Sequence, residues 1–214
     1  MKTLTQQHGL ALPTLLALLT LASLTTLLAM RNLWVNEQLL NAEADQLRTQ
    51  HKAQAALPIA IQDIVQTATT INEAGEVTPN LRHTAGSEGQ THAFFPNTFA
   101  EYDTLRQRLG AETCRSGICA PNTLDSTSTQ ASYWKGQIHT AMPLSASETP
   151  YGADSTGYWV EVFPYADTQT FVYRITVSAY GMLPSSHTVL QTIWTRNTPT
   201  STTGKWQSWH VLHD

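Results

Sequence analysis

The chain has 214 residues, room for one domain of ordinary size or a small domain with an extended element. Charged residues make up 13%, against the roughly 25% usual for soluble domains, and 12 Lys plus Arg face 16 Asp plus Glu for a formal charge of −4. That balance argues against a nucleic-acid binder with a basic stripe, and two cysteines exclude a disulfide-stapled miniprotein or a four-cysteine zinc site.

The first element is an uncharged, Leu-rich run over residues 10–30. At about 1.5 Å per residue it reaches roughly 30 Å, one hydrocarbon thickness. Thr14, Thr20, Ser23, Thr25 and Thr26 dilute it, but their hydroxyls can bond back to helix carbonyls. Three membrane readings compete. One is a cleaved secretory signal with Lys2 as its basic start and Thr20-Leu-Ala22 as its cleavage site. The second is a plain signal anchor, which Lys2 on one side and Arg31 and Arg48 on the other do not orient. In the third, residues 1–9 are a separate leader ending in Gly9.

The following segment favours the third. Residues 32–57 lack Gly and Pro and are rich in Leu, Ala, Gln and Glu. Leu33, Leu40, Ala44 and Leu47 form one stripe, which Ile61, Ile64, Val65, Ala68 and Ile71 resume after Pro58, until Gly75 ends it. One helix over residues 10–74 is expected, about 90 Å from Leu10 to Ile71, with Pro13 and Pro58 as kink sites. A cleaved signal has no reason to continue into a helix of the mature domain. Trp34, just past the apolar run, reads as an interfacial anchor.

A short leader ending in His8-Gly9, the helix start Leu15-Leu-Ala-Leu-Leu-Thr-Leu-Ala, Ala29-Met-Arg31 and Ala53-Gln-Ala-Ala-Leu57 resemble a type IV prepilin. Downstream, Cys114-Arg-Ser-Gly-Ile-Cys119, Tyr173-Arg-Ile-Thr-Val-Ser-Ala and Val189-Leu-Gln-Thr192 extend the resemblance to the PilX-type minor pilins of pilus assembly. The motifs are short, and their order along the chain carries the likeness. The resemblance implies an α+β pilin-like fold, in which a long N-terminal helix packs on a C-terminal antiparallel sheet of four or five strands. It also implies cleavage after Gly9 by prepilin peptidase and methylation of the new terminus, Leu10. Major pilins carry Glu at the fifth mature position, here Thr14, where it pairs in a low dielectric with the amine of the subunit ahead. A subunit without that Glu suits a place with nothing ahead of it, the tip. Pro13 falls in the first turn, where amides lack intrahelical acceptors anyway.

Residues 75–132 read as a connecting region, punctuated by Pro79, Gly86, Gly89 and Pro96. Within it, residues 98–109 predict a short helix capped by Gly110, and residues 121–132 an exposed polar loop. From residue 133 to the end the period changes to two. Strands are expected over 133–138, 158–163, 170–178, 188–196 and 205–212, with Gly152, Gly157, Gly181, Pro184, Pro199 and Gly204 in the turns. Phe171, Tyr173, Ile175 and Val177 give the third strand an apolar face for the helical stripe. Trp134, Trp159, Trp194, Trp206 and Trp209 all fall in expected strands, and packing is favoured over sugar stacking.

Cys114 and Cys119 bracket four residues. In an exported protein they oxidise to a disulfide; free thiols and a partial metal site are the competing readings. The loop they close is read as a plain staple or, alternatively, as a contact surface. His210, His213 and Asp214 are the nearest approach to a ligand set, but a three-residue step along a strand sends the two His to opposite faces. His83 and His92 fall in a loop, and Glu161 with Asp167 reads as a solvated strand edge. No nucleophile elbow, zinc-helix motif or phosphate loop occurs. The expectation is a protein without catalytic site, cofactor or metal, anchored once in the inner membrane and passing into an extracellular pilus. The partners implied are other minor pilins, the major pilin and the prepilin peptidase, with no nucleic acid. A minor pseudopilin of type II secretion and a signal-anchored envelope protein with a ligand-binding β domain are the rivals.

Overall fold

A computed structural model describes residues 11–72, 75–87, 89–121, 127–144, 156–165, 170–198 and 201–213. The architecture is α+β and pilin-like: a long N-terminal helix followed by a mostly antiparallel sheet. The chain divides into two compact units, Met1–Ala44 and Asp45–Asp214. Helix α1, Ala11–Val65, contributes its first part to one unit and its last part to the other.

The helix ends earlier than its apolar spacing predicts. Ala68 and Ile71 are not helical; Thr69–Ile71 (β1) pairs antiparallel with Val77–Pro79 (β2). The β-branched run Thr69-Thr70-Ile71 loses side-chain freedom in a helix and fits a strand. Asn72 secures the turn by accepting the Glu76 N–H on its side chain at 2.8 Å and the Gly75 N–H on its carbonyl at 2.9 Å. At Pro58 the helix continues without interruption.

Helix α2, Phe99–Leu109, forms as expected. The Thr98 hydroxyl accepts the Glu101 N–H, and Gly110 at φ 59° closes the other end. Cys114–Arg115 (β3) and Ile118–Cys119 (β4) make a two-residue hairpin whose loop residues Ser116 and Gly117 both take positive φ. A side chain at Gly117 would meet Met142 Cβ at 2.6 Å and the Tyr158 carbonyl at 2.8 Å.

The expected strand over 133–138 is a helix instead: α3, Ala131–Gly136. Ala131 and Trp134, three residues apart, are both buried, a helical spacing that a strand would split between two faces. Met142–Pro143 (β5) follows, then the four long strands β6 (Thr156–Tyr165), β7 (Thr170–Tyr180), β8 (His187–Arg196) and β9 (Gly204–Leu212). Among the described residues the sheet order is β3-β4-β6-β7-β8-β9, with β5 also on β6, and only β4–β6 is parallel.

The main core joins α1 and α2 to one sheet face: Ala53, Ala56, Ala60 and Ile64 meet Val160, Val162, Tyr173, Ile175, Val177 and Leu190. Here the expected stripe is corrected. Leu33, Leu40 and Leu47 stay exposed, while Asp45, Thr49, Lys52, Ala53, Ala56, Ala60 and Asp63 are buried. Alanines bring the helix backbone close to the sheet, which bulky leucines would prevent. The other sheet face carries a smaller core of Trp134, Trp159, Val189 and Leu212 beside the two cysteines.

Candidate functional site

The first part of α1 is long and apolar enough to cross a membrane, a property shared by anchors and signal sequences. Leu12, Leu15, Leu16, Leu18, Leu19 and Leu21 are all exposed, so the apolar surface runs around the helix. Its hydroxyls bond inward: Thr20 donates to the Ala17 carbonyl, Ser23 to Thr20 and Thr25 to Ala22, each at 2.9 Å. That removes the polar cost of a hydrocarbon setting. Trp34 follows, 62% exposed. Thr14 lies on this segment and is exposed; Gly9 and Leu10 lie outside the described residues.

In the second unit, the last part of α1 is held by polar contacts at both ends. The Asp45 carboxylate accepts the N–H groups of Met182 and Leu183 at 3.0 and 2.8 Å, and these bonds hold its pKa below the ordinary value. Lys52 donates to the Tyr180 carbonyl. Gly181 is required beside them, because a Cβ there would stand 2.5 Å from Asp45 Oδ2 and 2.7 Å from Thr49 Oγ1.

Asp63 anchors the other end. Its carboxylate takes Arg82 through Nε at 3.0 Å and Nη2 at 2.5 Å, and the Tyr158 hydroxyl at 2.7 Å. Burial alone would lower the Arg82 pKa; the Asp63 hydrogen bonds and charge more than offset it and hold the guanidinium charged. His83 Nε2–H donates to the Asp63 carbonyl at 2.6 Å, and burial pushes the imidazole pKa down, keeping it neutral. Arg196 donates to the Ile64 carbonyl. Every one of these groups has a structural partner, so the cluster is a seat for the helix and offers no free acid or base.

Glu161 is not a solvated edge. It lies buried opposite Arg174 on the neighbouring strand, and the two form a fork-like pair at 2.5 and 2.7 Å. Arg174 also donates to Ser128 Oγ and lies over the Phe163 ring. Burial raises the Glu161 pKa and the guanidinium opposes that rise. The hairpin register makes this pair legible, since Tyr165 faces Thr170 and both charged residues lie four positions from that point. Asp167 falls outside the described residues.

Cys114 and Cys119 form a disulfide between directly opposed residues of β3 and β4. Both sulfurs are buried against Trp134 and Trp159. The bridge staples the hairpin to the sheet and leaves the loop, not the cysteines, as surface. A groove of about 670 Å³ opens on the outer sheet face between α2 and the strands, with Tyr102, Arg106, Phe163, Val172, Ile193 and His210 in its walls.

Among the described residues no three His, Cys, Asp or Glu side chains converge to hold a metal ion. His210 is exposed on β9, and Asp214 lies outside the described residues. Trp134, Trp159 and Trp194 are buried as expected, but Trp206 and Trp209 are 49% and 59% exposed. Periodicity alone missed this, because it does not show that β9 is the last strand of the sheet. Comparison with family models, curated proteins and solved structures gives no match for this chain.

Proposed function

We propose that this chain is a PilX-type minor pilin that primes type IV pilus assembly in the inner membrane and resides at or near the filament tip. The observation that carries the reading is α1 itself. Its first part presents leucine in every direction, and its last part is the Ala-faced, polar-anchored support of an antiparallel sheet. A subunit of a helical filament needs both properties: apolar surface to pack among other subunits' helices, and a rigid seat for an exported domain. Its work is docking rather than catalysis. The partners are other minor pilins and the major pilin, after the prepilin peptidase has cut behind Gly9 and methylated Leu10.

Thr14 supports the tip position. A fifth-position carboxylate would need the amine of a subunit ahead, because an unpaired charge is costly in a low dielectric. A threonine hydroxyl is satisfied on its own helix, so nothing ahead is required. Immunogold labelling of intact filaments tests this. Label confined to one end is expected; label scattered along the shaft, or absent from filaments, contradicts the proposal.

A further inference from the structure

The disulfide hairpin reaches further than the sheet it is stapled to. Its strands β3 and β4 are two residues long, too short to hold a hairpin by themselves. Its loop is also unfavourable in isolation: Ser116, at φ 50°, is the one non-glycine residue with a positive φ among the described residues. The Cys114–Cys119 bond closes that loop and removes the other conformations open to it.

Two routes lead from this loop to one carboxylate of α1. The Ser116 carbonyl accepts Nη1 of Arg82 at 2.9 Å, and the same guanidinium grips Asp63 through Nε and Nη2. Gly117 lies against Tyr158, whose carbonyl would stand 2.8 Å from a Cβ there. The Gly117 N–H donates to the Thr140 carbonyl, and its own carbonyl accepts the Val160 N–H, both at 2.7 Å. The Tyr158 hydroxyl in turn donates to Asp63 at 2.7 Å. Asp63 stands two residues before the end of α1, whose last turn has no basic residue of its own. The helix therefore depends on groups from outside to complement its carbonyl end. The Arg82 and Asp63 side chains are only 21% and 9% exposed, so solvent screens their pairing little.

We propose that Cys114 and Cys119 form a redox-set latch for the end of α1. With the thiols reduced, the sheet domain folds but the Asp63 end of the helix is loose; oxidation of the pair fixes it. The step is thiol–disulfide exchange with a disulfide oxidant, R–S–S–R. One cysteine thiolate attacks it, forming a mixed disulfide and releasing R–S⁻. The second thiolate then displaces the other R–S⁻, so two electrons pass to the oxidant and two thiol protons to solvent. The closed loop holds the Ser116 carbonyl on Arg82 and Gly117 on Tyr158, and both partners hold Asp63. Cys114 and Cys119 are 5% and 1% exposed beside Trp134 and Trp159. Exchange must therefore precede the closing of that core, which afterwards shields the bond from reductants. This inference rests on the second unit alone and stands apart from the pilin reading.

Linkage makes the coupling measurable from either end. The full chain in detergent micelles is equilibrated with glutathione buffers from both the oxidised and the reduced side, and the disulfide fraction is read by alkylation and mass spectrometry. Asp63→Asn should lower the equilibrium constant for forming the bond by about five-fold or more. Asp45→Asn, at the other end of the seat, should leave it within about two-fold. From the other side, Cys114→Ser/Cys119→Ser should speed amide exchange over residues 61–65 by about five-fold or more, with residues 49–53 changing by less than about two-fold. An unchanged equilibrium in Asp63→Asn, or faster exchange confined to residues 113–120, overturns the inference in favour of a local staple. An equal shift in Asp45→Asn, or a serine variant that does not fold, overturns it in favour of a bond that holds the whole domain.

Discussion

The two parts of α1 solve opposite problems with the same backbone. Over residues 12–40 most of the large apolar side chains are leucines, and these stay exposed, as do Met30, Trp34 and Val35. Over residues 45–65 the covered face is built from Ala53, Ala56 and Ala60, with Asp45 and Asp63 near its ends. Leucine provides area for partners outside the chain; alanine provides close approach to a sheet inside it. The difference also explains the polar content. The first part closes the hydroxyls of Thr20, Ser23, Thr25 and Thr26 on its own helix, whereas the second uses carboxylates to collect N–H groups and a guanidinium from the sheet domain.

Breaking the apolar part should give the largest effect. Replacing Leu21 and Leu24 together by Arg costs about 6 kcal/mol of membrane insertion on the biological scale. The double variant should leave the membrane fraction on carbonate extraction while its sheet domain keeps the wild-type denaturation midpoint. Retention in the membrane would show that this part of the helix is not the anchor.

Breaking the seat should act on the sheet domain and not on insertion. Asp63→Ala strands the largely buried Arg82 and removes the acceptor of the Tyr158 hydroxyl, for a loss of about 3 kcal/mol in urea unfolding of the full chain in detergent. Carbonate extraction should be unchanged. A loss under about 1 kcal/mol would mean that Arg82 finds other partners.

The contrast between the two parts was only half legible in sequence. The apolar run, the short helix before Gly110 and the strands β6–β9 follow from hydropathy periods, because each buries one consistent set of side chains. The seat did not follow, since its face is polar and small. Asp45 and Asp63 stand 18 residues apart, five helical turns, and that spacing was the available signal. The leucine stripe at 33, 40 and 47 was the louder pattern, and it faces away from the core. Residues 133–138 failed for a related reason: in six residues, one Trp and one Tyr satisfy either period. The edge position of Trp206 and Trp209 depends on strand order, which no local pattern encodes.

The smallest effect sharpens the comparison at the junction of the two parts. The folded Asp45 carboxyl titrates below its unfolded value, so its contribution is complete above about pH 4 and is lost as the pH falls further. Asp45→Asn should remove that portion of the acid dependence while leaving stability near pH 7 lowered and flat. An unchanged acid profile would show that the Met182 and Leu183 amides do not depend on the charge.

Mass spectrometry of the mature amino terminus tests the central claim most directly. The account predicts a chain that starts at methylated Leu10, with Gly9→Val blocking the cut. A chain starting at Met1, or cut near Ser23 as a secretory signal would be, contradicts it.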